Sequence, residues 1–483
     1  MLLTGLLVPW MLSAALSSVL RRSHRLAAWL TAAAGVASAA SATRLWLNAL
    51  RGEATVVGSG ALFRVDGLSA LIACCIAAVA GLAMLPGSGI EKSDAGPDGA
   101  RRFRIFGSLF ALAMLVAVTI NNVALMWVAI EATTIVSALL IPLHRSKASI
   151  EASWKYILIG SVGIALAFAG TVLAYFDFVS ILGRRQDALN WTLLMHVAPS
   201  LHADVLRLAF VFLLVGYGTK AGLAPMHTWL PDAHSEAPAP LSAMMSGVLL
   251  AVAQYAIIRW KAVVDAAGGP AFTNQVLMAL ALVSIAIGAL SLVRQQSYKR
   301  LLAYSSVEHS GLICLGLTFG PAGVFASLLH LLNHALAKSV SFLLAGRILA
   351  RYRSADVERV SGLMRVMPGT GALFAAGLLA LMGLPPFGLF VSEFLLFRAG
   401  FMSGHVVATS AALVLAGVGF VGLAGHLMQM LYGAAPDGVA KGERAWWGLA
   451  PLAVPLLAMV VMGLFLPGAV GRLLGRIVEA MSI

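Results

Sequence analysis

The chain has 483 residues, of which 60% are hydrophobic and only 11% charged. A soluble protein carries about 25% charged residues, so these proportions exclude a soluble enzyme, a disordered chain and a disulfide-stapled secreted scaffold. The formal net charge of +13 is what basic cytoplasmic loops give a multi-pass membrane protein, and no basic run interleaved with aromatics points to a nucleic-acid partner.

A bilayer core of about 30 Å takes roughly 20 apolar residues per crossing. Apolar runs fall at 2–20, 26–50, 60–86, 103–120, 122–143, 154–176, 204–223, 240–259, 272–293, 301–320, 322–349, 369–397, 405–433 and 445–469. They predict an all-α membrane protein with about fourteen transmembrane helices. The first run is expected to be a span, since basic residues rather than a small-residue cleavage site follow it. Runs four and five meet at Asn121-Asn122, a tight polar turn. The stretches 87–101 and 177–203 are the longest polar interruptions, and neither is large enough to be a separate domain. Cys74, Cys75 and Cys314 lie in apolar runs and read as buried small hydrophobes. Loops after odd-numbered runs hold 20 of the 33 lysines and arginines, against 11 on the other side. That bias places the odd loops in the cytoplasm and both termini outside.

An ionisable side chain at the bilayer centre costs about 2.5 kcal/mol or more, so each one inside a run needs a partner or a wet cavity. Glu131 stands in the fifth run, Lys220 in the seventh, His330, His334 and Lys338 in the eleventh and Glu393 in the twelfth. Glu308 and His309 lie near the start of the tenth, where an interfacial position is expected. Glu131 reads either as a protonated carboxyl serving the bundle or as a proton-exchanging group. A buried carboxyl keeps its proton when alone and gives it up beside an ammonium. At about 4 Å and an effective dielectric near 20 such a pair is worth about 4 kcal/mol, enough to load and unload a proton. His330, His334 and Lys338 are spaced i, i+4, i+8, on one helical face over about 12 Å of rise. They could be a proton relay, structural histidines or half of a metal site; imidazole's titration near neutrality favours the relay.

Two runs are interrupted by proline beside these charges: Lys220-Ala-Gly-Leu-Ala-Pro225, and Gly383-Leu-Pro385-Pro386 ahead of Glu393. Proline removes a ladder hydrogen bond, and in lipid the freed carbonyl must be satisfied by protein or water. Breaks at matching places in two halves are the usual pointer to an inverted repeat with a midplane ion site. The seventh run is fourth of runs 4–8, and the twelfth is fourth of runs 9–13. His227, Asp232, His234 and Glu236 follow the first break on a Pro-rich stretch that reads as loop structure and helix capping or as proton entry and exit, with a metal site as the third alternative. Trp229 reads as an interfacial or packing aromatic.

These residues resemble the antiporter-like membrane subunits of respiratory complex I and its relatives. The resemblance rests on Glu131 in Trp-x-x-x-Glu, on Glu151-Ala-Ser-Trp-Lys155-Tyr156 and on Lys220-Ala-Gly-Leu-Ala-Pro-Met-His-Thr-Trp-Leu-Pro-Asp-Ala-His234. It extends through Tyr298-Lys-Arg-Leu-Leu-Ala-Tyr-Ser-Ser-Val-Glu-His309, the His330/His334/Lys338 helix and Gly383-Leu-Pro-Pro-Phe with Glu393, covering roughly residues 60 to 433. The wording His234-Ser-Glu236-Ala-Pro-Ala-Pro240 looks most like the F component of group 4 membrane-bound NiFe-hydrogenases of the formate hydrogenlyase type.

The resemblance implies two five-helix inverted repeats with discontinuous seventh and twelfth helices, and proton translocation coupled to redox chemistry in partner subunits. The segments are then 1–102, 103–260, 261–433 and 434–483. Carried over by position, Glu131 and Lys220 pair, His330, His334 and Lys338 form the relay, and Glu393 ends the second half. The implied partners are other membrane subunits and, through them, Fe–S and NiFe peripheral subunits in a bacterial inner membrane. One departure stands out: the family often has a lysine on the eighth span before a tyrosine, and here Ala251 precedes Tyr255.

With no CxxC set, haem or flavin motif or Gly-rich nucleotide loop, the chain is expected to carry no cofactor or metal and to be a non-catalytic subunit. The competing readings are a cation/proton antiporter subunit without redox partners, an NADH-quinone oxidoreductase subunit, and an intramembrane metalloenzyme using His330 and His334.

Overall fold

The computed structural model describes residues 1–20, 23–85, 96–443 and 448–481. Arg21, Arg22, Lys92 and Arg444, four of the charges behind the orientation expected above, lie outside the described residues, as does most of the stretch 87–101. An N-terminal pair, α1 (Leu2–Val19) and α2 (His24–Leu50), leads to a hairpin of β1 (Thr55–Val57) and β2 (Phe63–Val65), then α3 (Gly67–Ala83), α4 (Gly96–Thr119), α5 (Val123–Ala138) and α6 (Lys147–Leu182). The first interrupted segment follows as α7 (Trp191–Val197), α8 (Ala203–Lys220), α9 (Trp229–Glu236), α10 (Ala239–Met244) and α11 (Leu250–Gly268). Then come α12 (Ala271–Leu292), α13 (Tyr298–Gly316), α14 (Gly320–Tyr352), α15 (Leu363–Val366), α16 (Pro368–Leu381), α17 (Gly388–Met402), α18 (Val406–Tyr432), α19 (Ala450–Leu464) and α20 (Gly468–Met481).

Among the described residues nine helices are long and apolar enough to cross a membrane, or ten if α19 and α20, bent by 75°, count as one. α8 and α13 fall outside that set because each carries three charges: Asp204, Arg207 and Lys220 in one, Lys299, Arg300 and Glu308 in the other. Residues 55–65 depart from the all-α expectation. The hairpin pairs Thr55 with Val65 and Val57 with Phe63, so the third helix begins at Gly67, capped by the Asp66 side chain on Ser69 N, rather than at residue 60. The polar interruption 177–203 is also narrower than expected, since α6 runs on to Leu182 and α7 fills much of the remainder. Asn121-Asn122 does turn the chain: Asn122 Oδ1 accepts from Ala124 N and Leu125 N and starts α5. Cys75 and Cys314 are buried as expected, while Cys74 is only partly so.

Lipid gives helices no hydrophobic reason to associate, so close approach over small residues must do it. α6 and α8 meet this way. A Cβ on Gly216 would lie 2.5 Å from both the Gly163 carbonyl oxygen and the Ala167 nitrogen, and one on Gly163 would lie 2.7 Å from the Thr219 side chain. Because the obstacle at Gly216 is backbone, no rotamer change relieves it. Gly216→Leu should cost at least about 1–3 kcal/mol and lower the unfolding temperature in detergent; an unchanged melting curve would show that α6 and α8 are not in this contact.

Candidate functional site

The ladder of α8 stops at Lys220, where Gly222 adopts φ +73° and the chain turns through Pro225. The Thr219 carbonyl is left with a long 3.3 Å turn bond from Gly222 N and is completed by the Trp229 indole N–H at 2.8 Å. Trp229 is therefore a buried packing residue, not an interfacial one, and its ring lies 4.8 Å from that of Tyr156. Lys220 is fully buried, its ammonium 4.9 Å above the Tyr156 ring. Its Nζ donates to Thr134 Oγ1 on α5. The Thr134 hydroxyl in turn donates to Glu131 Oε2 at 3.0 Å, and Ser161 on α6 donates to Oε1 at 3.0 Å. Glu131 and Lys220 thus meet through a hydroxyl rather than directly. Thr134 sits three residues after Glu131, on the same helical face.

The second break has the same logic. Pro385 has no N–H to give to Leu381, four residues back. The Leu381 carbonyl instead accepts from His309 Nε2–H on α13 at 3.1 Å. His309 Nδ1 faces His330 Nε2 at 2.9 Å and lies 4.0 Å from Glu393 Oε1; its ring centroid is 5.3 Å from that of His334. His330 Nδ1 is 3.0 Å from Ser392 Oγ on α17. Lys338 is fully buried, donating to the Leu302 carbonyl at 2.8 Å and to Ser305 Oγ, with Glu308 within electrostatic reach. Glu308 and His309, read as lying near the interface, are 5% and 2% exposed, because α13 is packed among α9, α12, α14 and α18.

Glycines make room for these groups. A methyl on Gly383 would overlap the Glu393 carboxylate, and one on Gly419 would meet Glu308 Oε1 at 2.5 Å. At Gly160 it would stand 3.0 Å from Lys220 Nζ.

The stretch read as a loop after Pro225 holds a 3-10 turn, Met226–Thr228, with His227, and then α9, which carries Asp232, His234 and Glu236; Pro231 falls within the first turn of α9, where no ladder N–H is needed. Asp232 binds Lys155 of α6 at 3.2 Å and Arg300 of α13 at 2.6 Å, and Lys155 also binds Glu151 at 2.8 Å. Lys299 donates to the carbonyls of Ser235 and, at 2.8 Å, Ala237, with Glu236 in electrostatic reach. His234 is fully buried between Trp229 and Phe342, and neither ring nitrogen has a hydrogen-bond partner among the described residues. Lys338 and Lys299 both act on it electrostatically. His227 is buried near Tyr304. Ala251, in place of the expected lysine, is buried in α11, where Gln254 Nε2 also lacks a partner.

Thr134, Ser161, Ser305 and Ser392 had no signal in the sequence, because a hydroxyl in an apolar helix is common and uncharged. The metal alternative built on His330 and His334 is not the trio that converges. Among the described residues His309, His330 and Glu393 bring their donor atoms within 4.8 Å of one another.

The match to known proteins covers this site. Residues 120–419 fit the family model described as NADH:quinone oxidoreductase/Mrp antiporter, TM. The chain is 37% identical over 383 residues to a Hydrogenase-4 component F homolog of Methylacidiphilum infernorum, covering 78% of this chain and 79% of that one. It is 33% identical to Hydrogenase-4 component B of Escherichia coli over 73% of its length, and spans 53% of that longer relative. A chain of respiratory complex I from Thermus thermophilus superposes with a TM-score of 0.78 at 26% identity, covering 96% of this chain and 97% of that one. The protein is a multi-pass membrane protein of the antiporter-like kind, and the chain belongs to the NADH:quinone oxidoreductase/Mrp antiporter transmembrane family.

Proposed function

We propose that the chain is the proton-translocating, non-catalytic membrane subunit of a multisubunit redox complex of the group 4 NiFe-hydrogenase kind. It crosses a bacterial inner membrane in fourteen spans with both termini on the periplasmic side. Its two inverted repeats cover 103–260 and 261–433, flanked by 1–102 and 434–483. Its partners are further membrane subunits and, through them, Fe–S and NiFe subunits that carry the electrons.

The observation that carries this reading is the Glu131–Thr134–Lys220 chain beside one broken helix, with the His309, His330 and Glu393 cluster beside the other. Thr134 joins the two groups, accepting from the Lys220 ammonium and donating to the Glu131 carboxylate, so that Lys220 stands one hydroxyl from Glu131. From Lys220 the path runs past Tyr156 and Trp229 to the unpartnered His234, then to Lys338, His334, the His309–His330 pair and Glu393. His227, Asp232, Glu236 and Glu308 border its entry and exit points. His234 stands in for the absent lysine at Ala251.

Lys220→Ala should abolish coupled proton transfer in vesicles while electron transfer in the assembled complex is less affected; near-normal pumping would sink the pair. Thr134→Val removes a hydrogen bond to charge worth about 1.5–3 kcal/mol and should slow translocation roughly ten- to hundredfold, with Thr134→Ser restoring it. Equal rates in the two Thr134 variants would leave the hydroxyl a packing group. His334→Ala should lower translocation without disassembling the complex, and full activity would make it structural. Copurification in mild detergent identifies the partners: hydrogenase and Fe–S subunits are expected, and small antiporter subunits in their place would overturn the redox assignment.

A further inference from the structure

Lys220 is fully buried, so none of the three N–H donors of its ammonium can turn to bulk water. Among the described residues one hydrogen-bond acceptor meets it, Thr134 Oγ1 on α5. Glu131 is reached only across that hydroxyl. On the α6 side the ammonium meets the face of an aromatic ring: Nζ stands over Tyr156, 4.9 Å from the centroid. Spacing along α6 arranges this contact. Tyr156 and Gly160 lie i, i+4, hence on one helical face. A Cβ on Gly160 would come 3.0 Å from Lys220 Nζ and 3.3 Å from Thr134 Cγ2, so the missing side chain leaves the hollow through which the ammonium reaches the ring. The ring itself is fixed from other elements. It is fully buried, its hydroxyl shares a 2.9 Å hydrogen bond with Ser137 on α5, and the Trp229 ring on α9 packs on it with centroids 4.8 Å apart.

We propose that Tyr156 is the positioning residue of Lys220: the face of its ring, rather than its hydroxyl, holds the ammonium beside Thr134. A ring face attracts a cation through its quadrupole, and the attraction grows when water is excluded. It brings no charge of its own. A carboxylate in the same place would pair with the ammonium outright and compete with Glu131 for it, and an aliphatic side chain would leave a buried charge facing hydrocarbon. The ring avoids both. Thr134 and Ser137 lie i, i+3 on α5, so the helix that carries Glu131 receives the ammonium on one hydroxyl and orients the ring with the next. Trp229 links the ring to the helix break, because the indole that packs on Tyr156 also donates to the carbonyl of Thr219, the residue before Lys220.

The inference rests on the proton-carrying reading only for what the seated ammonium is used for. Its test replaces Tyr156 by phenylalanine and by phenylalanines bearing one, two and three ring fluorines, which keep the shape of the ring while weakening its face stepwise. The full chain in lipid nanodiscs is observed by lysine ¹⁵Nζ NMR, with the Lys220 signal identified by its loss in Lys220→Ala. That resonance should move in steps along the series. In vesicles of the assembled complex, Tyr156→Phe loses the Ser137 bond and should translocate about two- to tenfold more slowly. From there the rate should fall about threefold with each fluorine, to about thirtyfold with three, and Tyr156→Leu should be at least as slow. A Lys220 resonance indifferent to fluorination would overturn the contact. A slow Tyr156→Leu beside a fluorinated series of constant rate would also overturn the inference, since a ring that only fills space predicts that pattern. If the wild-type complex moves no protons, the proton-carrying reading fails while the resonance series still decides whether the ring seats Lys220. A flat resonance series, in turn, leaves the vesicle assay on Lys220→Ala untouched, so the two readings fail separately.

Discussion

In the hydrocarbon core of a bilayer no water is at hand for a stray backbone carbonyl, and each one left open costs several kcal/mol. That constraint organises both halves of this molecule. Proline breaks α8 from α9 and α16 from α17, and the carbonyl exposed by each break is closed by a ring N–H from another element: Trp229 on Thr219 in the first, His309 on Leu381 in the second. The two closures differ in consequence. An indole has no second nitrogen, so Trp229 is finished once it has donated. An imidazole that donates through Nε2 turns its Nδ1 toward whatever lies behind it, here His330 and Glu393. Satisfying the backbone thus fixes which nitrogen of His309 carries the hydrogen that Leu381 accepts.

The charges themselves are seated rather than merely enclosed. Lys220, Glu308 and Glu393 each abut a glycine, at 160, 419 and 383, so backbone comes close to the charged atoms and side chains cannot crowd them. Their companions are hydroxyls: Thr134 and Ser161 around Glu131, Ser305 under Lys338, Ser392 under His330. A hydroxyl can donate to a carboxylate and accept from an ammonium or imidazole without carrying charge. It therefore couples two titratable groups more cheaply than a third ion would, and it can reverse its direction when a proton has passed.

Much of this was legible in the sequence, for identifiable reasons. Glu131, Lys220, His330, Lys338 and Glu393 announce themselves because an ionisable residue in an apolar run is expensive, and Pro225 and Pro385 because they interrupt such runs. Their helices fall where the hydropathy placed them. Glu308 and His309 give a weaker signal because the first half of α13 is polar, and only its packing among α9, α12, α14 and α18 shows that the polarity faces inward. The serines and threonines were invisible, since their role depends on which helices touch. α9 is hidden by Pro231, by its charges and by the prolines at 225, 238 and 240 that flank it, which in isolation read as loop. The hairpin at 55–65 is too short for alternation to outweigh the apolar run into which it feeds.

The connection between the halves follows from where α11 has committed its polar groups. Tyr255 shares a hydrogen bond with Ser69 at 3.0 Å and donates to the Val118 carbonyl at 3.2 Å. One turn on, Arg259 lies between the rings of Trp191 and Tyr255 and binds Asp66 at 2.6 Å. These contacts fasten α11 to α3 and to the hairpin side of the bundle, while Lys261 and Asp265 pair with each other further along the same helix. With Ala251 there, α11 serves as a fastener, and the space between Lys220 and Lys338 is left to α9. That helix is held from outside by Asp232, through Lys155 and Arg300, while it sends His234 inward with both ring nitrogens open. Two residues are about 200° around a helix, so Asp232 clamps one face of this short helix while His234 lies on the other, between Trp229 and Phe342.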